Sequence, residues 1–205
     1  MIHNRIFIYD LSSPYINDVI KCAENLRRFV SGWIHPLPIQ DVIDSDVLEK
    51  FPQLLDRDDQ PQLQLELVWV LTNIFTGTTN QIVSTAKYGV IPPLVRLLTS
   101  CNTGIRIQAA WALSNVACEN DQYLIKSLQD AGIEDQILKL IRCQNPTSIS
   151  DKSTLSNFVS HQNFRISKFA LTIIGMLVEQ DEKQTQEVIE SGALANIHTL
   201  LQQKV

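Results

Sequence analysis

Leu67-Val-Trp69-Val-Leu-Thr-Asn73-Ile-Phe-Thr76-Gly77-Thr and Gln108-Ala-Ala-Trp111-Ala-Leu-Ser-Asn115-Val-Ala-Cys-Glu119-Asn are one phrase written twice, 42 residues apart. A Trp and an Asn four residues apart share one face of a helix. Stacking two such helices in register sets two Trp–Asn pairs side by side on one surface. The fold and the function both follow from where that surface lies.

Glycine supplies a second ruler. Tyr88-Gly89-Val-Ile-Pro-Pro-Leu-Val-Arg-Leu-Leu98 aligns with Ala131-Gly132-Ile-Glu-Asp-Gln-Ile-Leu-Lys-Leu-Ile141 and with Ser191-Gly192-Ala-Leu-Ala-Asn-Ile-His-Thr-Leu-Leu201. A weaker copy is Ser45-Asp46-Val-Leu-Glu-Lys-Phe-Pro-Gln-Leu-Leu55. The steps from 46 to 89 and from 89 to 132 are 43 residues each, and the step from 132 to 192 is 60. The surplus is a Ser/Thr/Asn-rich stretch over 144–162, which reads as a loop insert.

A period of 42–43 residues belongs to helical solenoids. Each unit reads as three helices. The first is short and ends at the Gly, or at Asp46, in the left-handed conformation that bulkier residues resist. The second carries apolar residues at helical spacing: Leu94, Leu97 and Leu98, then Ile137, Leu140 and Ile141. The third carries the Trp–Asn pair. Ahead of these units, Ile16, Val19, Ile20, Ala23, Leu26 and Val30 form one apolar stripe, as in an amphipathic capping helix. The expected division is an N-terminal segment over 1–13 and a repeat array of four to five units over 14–205. The array stops after the second helix of a unit, leaving Leu194, Ile197, Leu200 and Leu201 without a third helix; self-association through that end, or a partner that covers it, is expected.

Composition narrows the function. The 205 residues are 44% hydrophobic and carry a formal net charge of −5, which disfavours a nucleic-acid partner and suits a cationic one. Cys22, Cys101, Cys118 and Cys143 show no C-x-x-C spacing and the four histidines are scattered, so neither a metal nor a disulfide framework is expected. The cysteines read as mostly packed thiols, Cys118 among them. No apolar run reaches the ~18 residues of a membrane span. There is no G-x-x-x-x-G-K-[ST], G-x-G-x-x-G, G-x-S-x-G or H-E-x-x-H, so no enzyme, catalytic residue or cofactor is expected.

Three-helix units of this length resemble armadillo repeats, and LVWVLTNIFTGT (67–78) and QAAWALSNVACEN (108–120) resemble the importin-α (karyopherin-α) branch. The resemblance is close over roughly 14–143 and weaker over 163–202. It implies an all-α, right-handed superhelical solenoid whose third helices line a concave groove for nuclear localisation signals. By similarity, Trp69 and Trp111 wall slots for Lys stems. Asn73 and Asn115 hydrogen-bond the main chain of an extended peptide. Gln108 matches a groove glutamine, Glu119 matches the acid that pairs with the most tightly held lysine, and Thr76 and Gly77 match the loop that accepts hydrogen bonds from the same ammonium.

Departures stand beside these matches. Ile82 occupies a position that often carries a hydroxyl near the lysine pocket, and the third copy reads Phe169-Ala-Leu-Thr-Ile173, without Trp or Asn. The family's basic importin-β-docking segment has no counterpart in residues 1–30, and four to five repeats replace about ten. The reading is therefore a short importin-α-like module, cytoplasmic and nuclear, that captures Lys/Arg-rich segments of cargo proteins. Structural readings of the same residues stay open. A tryptophan can be core, each asparagine can bond the backbone of the neighbouring repeat, Glu119 can be a solvated helix-end charge, and Asp56-Arg-Asp-Asp59 can be a simple soluble turn. The matching functional alternative is a scaffold with a degenerate groove that binds partners through other surfaces.

Overall fold

Among the described residues, three positions of left-handed backbone punctuate the fold: Asp46 (φ 58°), Gly89 (φ 78°) and Gly132 (φ 71°). They fall at the glycine ruler's positions, and each reverses the chain between the first and second helix of a unit. The computed structural model describes residues 11–32 and 37–136, together with Gln186. Trp33, Cys143, the 144–162 insert, the Phe169–Ile173 copy and the C-terminal unit with its expected self-association face lie outside the described residues.

All regular elements among the described residues are helices: α1 (Ile16–Val30), α2 (Ile39–Ile43), α3 (Phe51–Leu55), α4 (Pro61–Ile74), α5 (Thr79–Ala86), α6 (Ile91–Leu97), α7 (Thr103–Ala117) and α8 (Gln122–Asp130). A 3-10 turn over Val47–Lys50 leads into α3. The units read off as α2–α3–α4 and α5–α6–α7, with α1 in the place of a preceding third helix and α8 opening the next unit.

Local chemistry fixes the boundaries. Pro52, Pro61, Pro92 and Pro93 sit in first turns, where a missing N–H costs nothing. Thr78 and Gln81 form a reciprocal capping box on α5. Asn102 and Asp121 accept from the first free N–H groups of α7 and α8.

The third helices stack, α1 on α4 on α7. A helix held between two others must be apolar almost all round. Leu63, Leu67, Val68, Val70, Leu71 and Ile74 of α4 are fully buried, as are Ile105, Ala109, Ala112, Leu113 and Val116 of α7. At ~1.5–3 kcal/mol for each large apolar side chain, this stack is the main source of stability. The polar side chains that α4 leaves uncovered, Gln62, Glu66 and Asn73, run along one stripe with Trp69, which Thr76 continues in the turn that follows; Gln64 and Thr72 are polar but buried. The second helices close the other side, with Leu94, Leu97 and Leu98 buried as the spacing predicts.

Two readings need correction. Cys22 is packed, but Cys101 and Cys118 are exposed. Cys118 caps the end of α7, one residue past its last buried turn, so the stack no longer covers it. The Asp56–Asp59 turn is more than a soluble link. Arg96 of α6 donates to Asp56 (3.1 Å), to Asp58 (2.9 Å) and to the Leu55 carbonyl (2.8 Å), tying two units together.

Candidate functional site

The stripe that α4 leaves open continues onto α7 through Gly104, Gln108, Trp111 and Asn115. The turn after α4 and the end of α7 add Thr76, Gly77 and Glu119. All eight residues singled out from the sequence therefore lie on or beside the two stacked third helices. Trp69 and Trp111 are each 41% exposed, a large value for indoles in a helix stack and incompatible with a purely core role.

The asparagines are half-buried and each spends one N–H on the neighbouring repeat. Asn73 Nδ2 donates to Ser31 Oγ (2.7 Å), and Asn115 Nδ2 donates to the Thr72 carbonyl (3.2 Å). The structural reading of these residues thus holds for part of each side chain. An amide has two N–H donors and an oxygen with two lone pairs. After the inter-repeat bond, each Asn retains one N–H and its Oδ1, the pair that an extended peptide residue needs.

The Thr72 carbonyl is one of the acceptors that a helix leaves open at its C-terminal end. Its neighbours on α4 are met by Phe75, Thr76 and Gly77 N–H groups. Asn115 reaches across to meet this one. The single proton of the Thr72 hydroxyl is shared between Val68 O on its own helix (2.9 Å) and Gln108 O across the seam (3.3 Å).

Glu119 lies just past the end of α7 and has no ion-pair partner among the described residues. Its Oε2 accepts from Thr79 Oγ1 at 2.5 Å. Thr79 is not among the residues that the sequence singles out; the position that often carries a hydroxyl holds Ile82. Ile82 is buried and faces the core. Thr79, one turn earlier on α5, supplies a hydroxyl to the same acid; the i−3 relation on a short exposed helix was the available signal.

Thr76 Oγ1 donates to Asn73 O (2.7 Å), and the Gly77 N–H donates to Ile74 O (3.0 Å), so both residues wrap the end of α4. Gly77 is tightly enclosed. A Cβ there would sit 2.5 Å from Gln81 Oε1 and 3.0 Å from Ile74 O. Gln108 is buried and its Nε2 has no hydrogen-bond partner.

The chain is similar to known proteins in sequence and in fold. The armadillo/beta-catenin-like repeat family matches residues 35–76 and 78–118. Importin subunit alpha-1b of Oryza sativa subsp. japonica is 33% identical over 89% of this chain and 38% of its own length. Importin subunit alpha-2 of Arabidopsis thaliana is 46% identical over 48% of this chain and 18% of its own. The chain thus spans well under half the length of these curated relatives. A crystal structure of computationally designed armadillo repeat proteins for modular peptide recognition superposes with a TM-score of 0.74 at 25% identity, covering 95% of this chain and 73% of that one. Designed armadillo repeat protein YIII(Dq)4CqI gives 0.73 at 26%, with the same coverage.

Proposed function

The chain is an importin-α-like armadillo-repeat protein, a repeat-built binding module, and from that premise we propose that the α4–α7 surface holds an extended Lys/Arg-rich segment of a cargo protein of the kind that directs nuclear import. The observation that carries the proposal is the pair of half-exposed indoles, Trp69 and Trp111, on adjacent third helices, each with an asparagine one turn on.

The chemistry is complementary to a lysine side chain on an extended backbone. The space between neighbouring indoles accepts an alkyl stem, and the ring faces attract the cationic head. The residual N–H and Oδ1 of Asn73 and Asn115 pair with peptide groups that an extended strand leaves unbonded. At the far end, Glu119 offers a carboxylate, while Thr79 offers a hydroxyl oxygen and Gly77 a carbonyl. These three replace the water that an ammonium loses on entering a partly enclosed slot. Gln108 lies beneath this surface, its Nε2 buried without an acceptor. By analogy with the importin-α relatives, the protein would work in both cytoplasm and nucleus.

A second reading has an observation of its own. Both asparagines already bond a neighbouring repeat, so the Trp–Asn register could persist for the stack alone, in a scaffold whose partners bind elsewhere. Binding of a fluorescent, Lys/Arg-rich peptide of about ten residues separates the two. We expect saturable binding that weakens with salt, a loss of about 30-fold for Trp111→Ala, and a loss of similar size for Glu119→Lys. Equal affinities for wild type and both variants would refute the groove and favour the scaffold.

A further inference from the structure

The register that carries Trp111 back to Trp69 reaches Arg27 on α1, and the one that carries Asn115 back to Asn73 reaches Ser31. The first position of the ladder is thus cationic where the next two are aromatic. In the structure, Arg27 Cζ lies 4.9 Å from the centroid of the Trp69 ring. The same guanidinium forms an ion pair with Glu66, one turn before Trp69 on α4. Both charged groups are largely covered, with side-chain exposures of 24% for Arg27 and 13% for Glu66.

We infer that Arg27 is a built-in occupant of the aromatic ladder: it takes the face of Trp69 that a ligand cation would use from the α1 side, and so ends the cation-selective part of the groove at α4. The inference rests on the peptide-groove reading and sets its specificity. Ligand lysines are confined to the α4–α7 side, and a ligand residue lying over α1 meets an already neutralised Arg–Glu pair. The competition is unequal. An incoming lysine offers one cation–π contact, whereas Arg27 holds a cation–π contact and a charge-assisted bond to Glu66 together, and it is tethered at the site.

The test uses the full chain with Trp33→Phe and Trp111→Phe, so that fluorescence reports Trp69 alone. Caesium ion probes access of a cation to the ring, and neutral acrylamide controls for general exposure. With Arg27 in place, caesium quenching is expected to be weak relative to acrylamide. Arg27→Gln should raise the caesium-to-acrylamide ratio about two- to fivefold. Arg28→Gln, which removes the same charge from the exposed neighbouring position, should leave it unchanged. Arg27→Lys, which keeps the charge and loses the guanidinium, guards against misfolding of the glutamine variant and should fall between. Equal ratios in Arg27→Gln and wild type, or equal rises in the two glutamine variants, would overturn the inference.

A second arm, in the background with all three tryptophans, measures a Lys-rich peptide long enough to overhang α1. Arg27→Gln should bind it about two- to fivefold more tightly than wild type does. Unchanged or weaker binding by Arg27→Gln would overturn the inference. If no peptide binds either protein while the quenching difference persists, the groove reading fails and the occupancy of Trp69 by Arg27 stands.

Discussion

Asn115→Ala and Asn73→Ala should differ in their effect on stability, although the two asparagines hold the same place in the repeat. Asn115 Nδ2 meets the Thr72 carbonyl in a part-buried seam between α7 and α4. Its removal deletes one hydrogen bond and strands a carbonyl that α4 leaves open. Together these cost about 2 kcal/mol. Alanine is the better helix former by about 0.6 kcal/mol, so the net loss is about 1.4 kcal/mol. For a chain of this size that lowers Tm by about 3–5 °C. Asn73 Nδ2 instead meets the Ser31 hydroxyl at an exposed position, where water replaces the bond. Its loss is about 0.5 kcal/mol and the helix gain cancels it. Differential scanning fluorimetry of the two alanine variants and wild type reads this directly. Equal shifts, or an unchanged Tm for Asn115→Ala, would refute the claim that Asn115 caps α4 across the repeat boundary. The asymmetry has a practical use. Asn73→Ala is the cleaner probe of peptide binding, because its stability is expected to match wild type.

Three further outcomes are expected. Gly77→Ala should destabilise the fold by about 1–3 kcal/mol, measured by urea unfolding, because its Cβ would strike Gln81 Oε1 and break the capping box of α5. Gln108→Leu should raise Tm, read by differential scanning fluorimetry, by removing a buried, unpartnered amide. Acid should loosen the α3–α6 tie: the Asp58 carboxyl is held below its ordinary value by hydrogen bonds from Arg96 and then Gln64. A carboxyl that titrates lower folded than unfolded stabilises above its unfolded value, near 3.9. That contribution is lost as pH falls through the folded value. The urea midpoint should therefore drop between about pH 5 and pH 2, and Arg96→Gln should make that part of the drop shallower.

The repeat was legible because its signals are local and recur. The left-handed turn at Gly89 and Gly132 demands a residue type, the buried stripes of α6 and α7 demand a spacing, and both return after 43 or 42 residues. Even Asp46, a poor match to glycine, takes the left-handed conformation that its register required. Side-chain partnerships across units were not legible. Arg27 and Glu66 are 39 residues apart and Thr79 and Glu119 are 40 apart; nothing in either neighbourhood marks the partner. Glu119 takes its hydroxyl partner from Thr79, while Ile82 belongs to the core. Cys118 was misplaced for a related reason. Burial of a small residue near a helix end depends on where the next helix stops, and a single strand of sequence does not record that.

The bond from Asn115 to the Thr72 carbonyl moves the natural seam of this protein. Written as sequence, a unit ends in the loop after its third helix, and an engineer would cut there. Chemically, α4 is complete only when the following α7 is present. Chimeras joined at the loop before Thr79 would thus hand α4 to a foreign successor, and only successors bringing an asparagine at the same turn would seal it. Recombination libraries built from such units should favour donors that conform to that rule, whatever their loops look like.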